Sequence, residues 1–223
     1  MSTNIAPLVL FDLDGTLVDS AVDLLNAINR LAEREGHAPT TLAKLRPVVS
    51  KGARAMLAIT FPDYDEAKRE ELRQPFLDIY EAAVSEHSTP FEGVEEVLAR
   101  IEAGNGKWGI VSNKPHYLCV GVVNAMGWSD RCAVLLGGDS LPKRKPDPDQ
   151  LLHACASCGV APSQAVYVGD DERDIVAARN AGMKSVAALW GYRLDTDDPH
   201  AWQADAAVAM PGDLLLPGLL ASR

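Results

Sequence analysis

The chain reads as an α/β protein built on a parallel sheet. From about residue 94 onward, short apolar runs alternate with helical stretches. Polar residues gather where those runs end. A long helix-compatible tract with no convincing strand separates the first run from the others, so the sheet is expected to carry a helical insertion after its first strand.

Leu8, Val9, Leu10 and Phe11 form the first run, read as a strand buried on both faces, and Gly15 permits the sharp turn that follows. Ser20-Ala-Val-Asp23 has the spacing of a capping box, and Val22, Leu25, Ile28 and Leu31-Ala32 recur with helical period until Gly36. Between Thr40 and about Glu86 the sequence stays helix-compatible, and Pro90-Phe91-Glu92-Gly93 marks a return to the sheet. A helix then carries Val94, Val97, Leu98 and Ile101 and stops at Gly104 to Gly106. Trp108–Val111 is a strand, Pro115–Met126 a helix, Ala133–Leu136 a strand, and Pro148–Cys158 a helix with Asp147 as its cap. Ala165–Val168, a helix to Ala181 and a strand over Lys184–Leu189 complete the alternation, whose crossovers should be right-handed. The core is expected over 1–17 and 90–223, and a helical cap over 18–89.

At 223 residues and 47% hydrophobic content, the chain has material for a large core. Its net charge of -10 argues against nucleic acid, whose binding needs clustered cations. No apolar run has the length of a membrane span and the N-terminus lacks a secretory layout, so a cytoplasmic protein is expected. Four cysteines fit a reducing compartment. Cys155 and Cys158 fall near the end of a helix, whereas a redox pair usually sits at a helix start, where thiolates are stabilised. Oligomeric state has no signature in the sequence.

Asp12-Leu13-Asp14-Gly15-Thr16 sets two carboxylates two residues apart where the first strand ends. In open α/β sheets that is where ligands bind, although Asp and Gly also favour plain turns. Ser112-Asn113, Lys145-Pro146 and Gly169-Asp170-Asp171 with Asp174 fall at later strand ends or in the loops after them. Each has an ordinary alternative. Ser112-Asn113 suits a helix cap, Lys145 belongs with Lys143 and Arg144 in a basic loop, and Asp171 and Asp174 have helix-capping spacing.

Taken in order, Asp-x-Asp-Gly-Thr, the Ser112 hydroxyl, Lys145-Pro and Gly169-Asp170-Asp171 resemble the four motifs of the haloacid dehalogenase superfamily over essentially the whole chain. The resemblance implies a Rossmann-like core, a helical cap between the first two motifs, bound Mg²⁺ and an aspartyl-phosphate intermediate. Ser112 stands where Thr is also common, with the hydroxyl retained. The charges make a cation reasonable, because a carboxylate about 3 Å from a phosphate oxygen meets a repulsion of about 5 kcal/mol per unit charge at an effective dielectric near 20. On this reading Asp12 is the nucleophile and Asp14 the acid, then base. Asp12, Asp170 and the Asp14 backbone carbonyl hold Mg²⁺, Lys145 neutralises the phosphate and Asp12, and Ser112 and the Asn113 backbone donate hydrogen bonds to the transferring oxygens. A carbon–halogen bond needs no leaving-group acid, so Asp14 favours phosphate esters.

Within the cap, Gly52 allows close approach and Arg54 can grip a substrate carboxylate, unless the segment is an ordinary loop entering a helix. Ser50–Met56, with His87-Ser88, Phe91-Glu92-Gly93, Gly109 to Pro115, Gly191-Tyr192 and Trp202 to Asp205, resembles the bacterial N-acetylmuramic acid 6-phosphate phosphatases more than the phosphoglycolate phosphatases. That implies a phosphatase of peptidoglycan recycling. The alternatives are phosphoglycolate hydrolysis, a sugar phosphomutase of the same superfamily, and, in a different class, a phospho-accepting receiver switch. A receiver has no use for Asp14 or a cap.

Overall fold

The computed structural model describes residues 5–222; the expected core limits at residues 1 and 223 lie outside them. In chain order the strands are β1 (Leu8–Phe11), β2 (Val18–Asp19), β3 (Thr89–Pro90), β4 (Lys107–Val111), β5 (Leu135–Leu136), β6 (Ala165–Gly169), β7 (Lys184–Ala188) and β8 (Ala206–Val208). The helices are α1 (Ala21–Arg34), α2 (Leu42–Leu45), α3 (Ala53–Thr60), α4 (Glu66–Glu71), α5 (Arg73–Glu81), α6 (Val94–Ala103), α7 (His116–Ala125), α8 (Asp149–Cys158) and α9 (Glu172–Asn180). Six strands pair in the order β5-β4-β1-β6-β7-β8, all parallel, and β2 and β3 form a separate antiparallel ribbon. The expected α/β architecture with a helical insertion after β1 is therefore present.

β1 lies at the centre because it is apolar on both faces. Val9 and Phe11 pack into a cluster with Val97, Ile101, Trp108 and Val122, while Leu8 and Leu10 face a second one with Leu151, Ala154 and Ala178. A strand wedged between two helical layers reads as a continuous hydrophobic run. Helices α1, α2, α3 and α5 bury a third cluster, including Ile28, Leu57, Phe61 and Phe76, which Leu118 on α7 and Tyr192 join. The β2–β3 ribbon joins this helical unit to the sheet.

Several local expectations change. Ser20 is the N-cap residue of α1 but makes no side-chain cap bond; its hydroxyl donates to Asp14 Oδ1 at 2.6 Å. Asp23 leaves the cap position as well, accepting from the backbone of His87 and Ser88 and from the Ser88 hydroxyl, so it ties α1 to the chain's exit from the helical unit. On α1 the buried face is Ala21, Leu24, Ala27, Ile28 and Leu31, and Val22 is exposed. α8 begins at Asp149, with Pro148 rather than Asp147 at the N-cap. The strand expected over Ala133–Leu136 keeps only its last two residues. β8 carried no signal, since its Ala-rich composition is poor in strand formers. The four cysteines are free, and burial pushes the Cys155 thiol up to about 11, as expected of packing residues. Among the described residues no helix is long and apolar enough to cross a membrane.

Candidate active site

The parallel sheet brings the separated motifs to one edge. β1 and β6 are neighbours in register, and Asp12 extends the ladder by donating its N–H to the Val168 carbonyl at 2.9 Å. Asp12 at the end of β1 and Asp170 just beyond β6 therefore emerge side by side. β4, on the other side of β1, delivers Ser112 and Asn113. Lys145 arrives from the loop before α8 and reaches Asp12 Oδ1 at 3.0 Å.

Lys145 is 3% exposed and spends its ammonium on Asp12, on Asp174 Oδ1 at 2.7 Å and on the Tyr167 hydroxyl at 2.7 Å. Tyr167 in turn donates to the Val111 carbonyl at 2.7 Å. Burial disfavours a charge on Lys145, but Asp12 and Asp174 outweigh it and hold its pKa above the ordinary value. Asn113 donates its side-chain N–H to the Lys145 carbonyl at 3.0 Å, and so fixes the lysine's backbone. The buried Ser112 hydroxyl accepts from the Lys114 N–H at 3.3 Å.

Asp170 is fully buried and accepts hydrogen bonds from the Thr16 hydroxyl, the Ser50 hydroxyl and the Tyr192 N–H at 3.0, 2.7 and 2.8 Å. Backbone packs tightly around it: a Cβ at Gly15, where φ is +85°, would sit 2.2 Å from its Oδ2. Asp171 and Asp174 form a genuine capping box on α9, yet Asp174 also faces the site. Asp12, Asp170 and Asp174 each bring a carboxylate oxygen within 4.8 Å of the others. Burial, with the charges of Asp12 and Asp174, drives the Asp170 pKa well above the usual carboxylate range, and burial lifts Asp174 to about 6 despite Lys145. Such a crowd of buried carboxylates has the donor chemistry of a site for a hard divalent cation. Asp174, whose spacing in the sequence reads as a helix cap, thus joins Asp12 and Asp170 in this cluster.

The Asp14 carboxylate points elsewhere. Lys114 Nζ contacts both its oxygens at 3.0 Å, and Ser20 adds its hydroxyl. The third Lys114 contact is the hydroxyl of Tyr80 on α5, at 2.9 Å. Burial opposes the Lys114 charge, but Asp14 and Tyr80 raise its pKa overall. Burial also pushes the Tyr80 phenol up to about 12.

Above these groups lies a cavity of about 480 Å³ between the sheet edge and the helical unit, with Asp12, Asp14, Lys114 and Lys145 among its lining residues and Arg54 and Arg73 on its cap side. Gly52 starts α3 at φ +89° with open space where a Cβ would sit, so its backbone conformation, not a close neighbour, requires glycine. Arg54 pairs with Glu70 at 2.8 Å, and 69% of its side chain is exposed. The segment before it docks on the sheet: Arg173 donates to the Ser50 carbonyl, and Lys51 pairs with Asp171 at 2.9 Å and Asp197 at 3.0 Å. Burial resists ionisation of Asp171, but the Arg173 contact and Lys51 hold it down at about 2.

The sequence reading thus brought Asp12, Asp14, Ser112, Asn113, Lys145 and Asp170 to one place and left Gly52 and Arg54 at its rim. It overlooked Lys114, Tyr80, Tyr167 and Thr16. Lys114 stands next to Ser112-Asn113 and Thr16 inside the first motif, so both had a positional signal. Tyr80 and Tyr167 had none.

The haloacid dehalogenase-like hydrolase family matches residues 9–188. A phosphoglycolate phosphatase of Xanthomonas campestris pv. campestris is 56% identical over 209 residues, covering 94% of this chain and 95% of its own. An N-acetylmuramic acid 6-phosphate phosphatase of Pseudomonas aeruginosa is 40% identical over 208 residues, covering 93% and 92%. That order reverses the one suggested by the cap segment and tail, because identity counted over the whole chain outweighs a few short segments. The crystal structure of a predicted phosphoglycolate phosphatase from Haemophilus somnus superposes with a TM-score of 0.84 at 27% identity, covering 94% of this chain and 96% of that one. With the family matched from β1 through the inserted helices to β7, a span that contains all four motifs, the chain belongs to the haloacid dehalogenase-like hydrolases.

Proposed function

We propose that the chain is a Mg²⁺-dependent phosphatase that hydrolyses phosphoglycolate by phosphoryl transfer to Asp12. The observation that carries the reaction class is the placement of Asp12 at the floor of the cavity, 3.0 Å from the Lys145 ammonium and two residues before a second carboxylate. Asp12 Oδ1 accepts from the Leu13 N–H at 2.7 Å and faces Lys145, which orients the carboxylate and leaves Oδ2 for attack on phosphorus. Lys145, supported by Tyr167, lowers the negative charge that an incoming phosphate meets. Ser112 and Asn113 flank the position of the transferring oxygens. Asp14 gives its proton to the departing alkoxide, then takes one from the water that cleaves the phosphorylated Asp12.

Asp12, Asp170 and Asp174, with the Asp14 backbone carbonyl, would hold Mg²⁺, which when bound supplies the positive charge that three carboxylates and a phosphate dianion need in order to approach. The chain's own residues orient the ester and move the proton.

The substrate assignment is supported by the name of the Xanthomonas relative. Arg54 and Arg73 at the cap side suit a carboxylate on the alcohol portion. A second reading, N-acetylmuramic acid 6-phosphate, is favoured by the cavity itself, since about 480 Å³ accommodates a sugar ester and leaves much room around a small one.

Release of inorganic phosphate from the two purified esters, with and without Mg²⁺, tests both. The expected result is Mg²⁺-dependent hydrolysis with the higher kcat/KM on phosphoglycolate. A higher value on the sugar ester replaces the substrate with the second reading. Isomerised sugar phosphate without phosphate release would make the protein a mutase.

A further inference from the structure

Lys114 links α5 of the helical unit to the acid–base carboxylate. Only 7% of it is exposed, and its partners are the two oxygens of Asp14 and the hydroxyl of Tyr80. An ammonium has three protons, and these three contacts account for them. Tyr80 is fully buried on α5, so its hydroxyl cannot follow Lys114 if the lysine moves. The Tyr80 ring also lies against the ammonium, 4.3 Å from centroid to Nζ. Ser20, where the ribbon enters α1, closes the other side of Asp14 at 2.6 Å. The acid is therefore held from the sheet side by Lys114, and from the inserted helices directly by Ser20 at the start of α1 and by Tyr80 on α5 acting through the lysine.

We infer that Lys114 and Tyr80 are positioning residues for proton transfer at Asp14, so that the leaving alcohol is protonated efficiently only with α5 seated against the sheet. The inference rests on the proposed role of Asp14. Without the Tyr80 hydroxyl one ammonium proton loses its partner and the lysine no longer has a fixed direction. Without the lysine the carboxylate keeps only Ser20. In neither case is the attacking group Asp12 touched.

Comparison of two leaving groups isolates this role. An alkoxide must take a proton as the P–O bond breaks, whereas p-nitrophenolate departs without one at neutral pH. The quantity to compare is kcat/KM, which covers the steps through release of the alcohol. Tyr80→Phe should lower kcat/KM about tenfold on phosphoglycolate and less than about twofold on p-nitrophenyl phosphate. Lys114→Met should lower the alkyl ester about a hundredfold, with p-nitrophenyl phosphate again the less affected.

Equal loss on both esters in Tyr80→Phe, or loss on neither, would overturn the inference by showing that the pair serves folding or charge balance alone. Should Lys114→Met prove too unstable to assay, Tyr80→Phe decides by itself. If the wild type prefers N-acetylmuramic acid 6-phosphate, that ester takes the place of phosphoglycolate in the same ratio. The substrate reading then fails in the wild-type rates, and the positioning role fails only in the ratios of the variants.

Discussion

Lys145 at the floor of the cavity and Arg54 at its rim are both cations facing the same space, and they are held in opposite ways. Lys145 is 3% exposed and has three close partners, Asp12 at the end of β1, Tyr167 on β6 and Asp174 on α9. Arg54 leaves 69% of its side chain in solvent and has Glu70 as its partner. A buried charge keeps one position because leaving its partners would strand it without water. An exposed ion pair is weak and exchanges partners readily. The floor is accordingly built for one reaction, and the rim for recognition that can change without disturbing it. Asp14 lies between the two regimes: its neighbours come from the floor through Lys114 and from the inserted helices through Tyr80.

The largest effect should come from breaking the floor. Asp12→Asn removes the attacking oxygen and should cut turnover by about 10⁴-fold or more. It should leave the thermal midpoint unchanged or higher, because the charge of Asp12 is among those that make ionisation of buried Asp170 unfavourable. Substantial residual phosphatase activity in a folded Asp12→Asn protein would end the nucleophile assignment.

An intermediate effect is expected at the rim. Arg54→Ala should raise KM for a carboxylate-bearing ester about three- to tenfold with kcat nearly unchanged, and should leave KM for p-nitrophenyl phosphate unaltered. A fall in kcat would mean that the rim is not separable from the chemistry, contrary to the contrast drawn from exposure.

The smallest effect belongs to the junction. Asp19 on β2 pairs with Arg46 at 2.7 Å and accepts from the Tyr192 hydroxyl at 2.7 Å. Burial resists its charge, but Arg46 and Tyr192 outweigh that and lower its pKa in the folded protein. A lowered carboxylate pKa stabilises the fold above the unfolded value of about 4 and ceases to do so as pH falls through the folded value. Asp19→Asn should therefore lower the unfolding midpoint by about 1–3 °C at pH 7, with the gap to the wild type narrowing at a pH well below the ordinary carboxylate value of about 4. A gap of equal size at both pH values would assign the loss to packing instead of charge.

The sheet was legible because its central strands are short and apolar on both faces, so β1, β6 and the Trp108–Val111 part of β4 appear as hydrophobic runs that lead into polar residues. Asp12, Ser112, Lys145 and Asp170 could be read with them, since chain direction places every strand end of a parallel sheet on one edge. Ser20 and Asp23 were misread for an equally physical reason: their spacing matches a helix cap, yet Asp14 and the His87–Ser88 backbone compete for the same atoms and win. Asp174 was legible as a cap and is one, but its second role depends on Lys145 arriving from a different loop.

By itself, then, the sequence determined the alternation of elements, the insertion after β1 and the strand-end acids, because these follow from periodicity and from which residues tolerate sharp turns. Tertiary structure alone decided that Asp174 stands with Asp12 and Asp170, that Tyr167 braces Lys145, and that Tyr80 reaches Asp14 through Lys114. Those partners lie on elements far apart along the chain, and a side chain's local pattern carries no record of which distant group will share its buried charge.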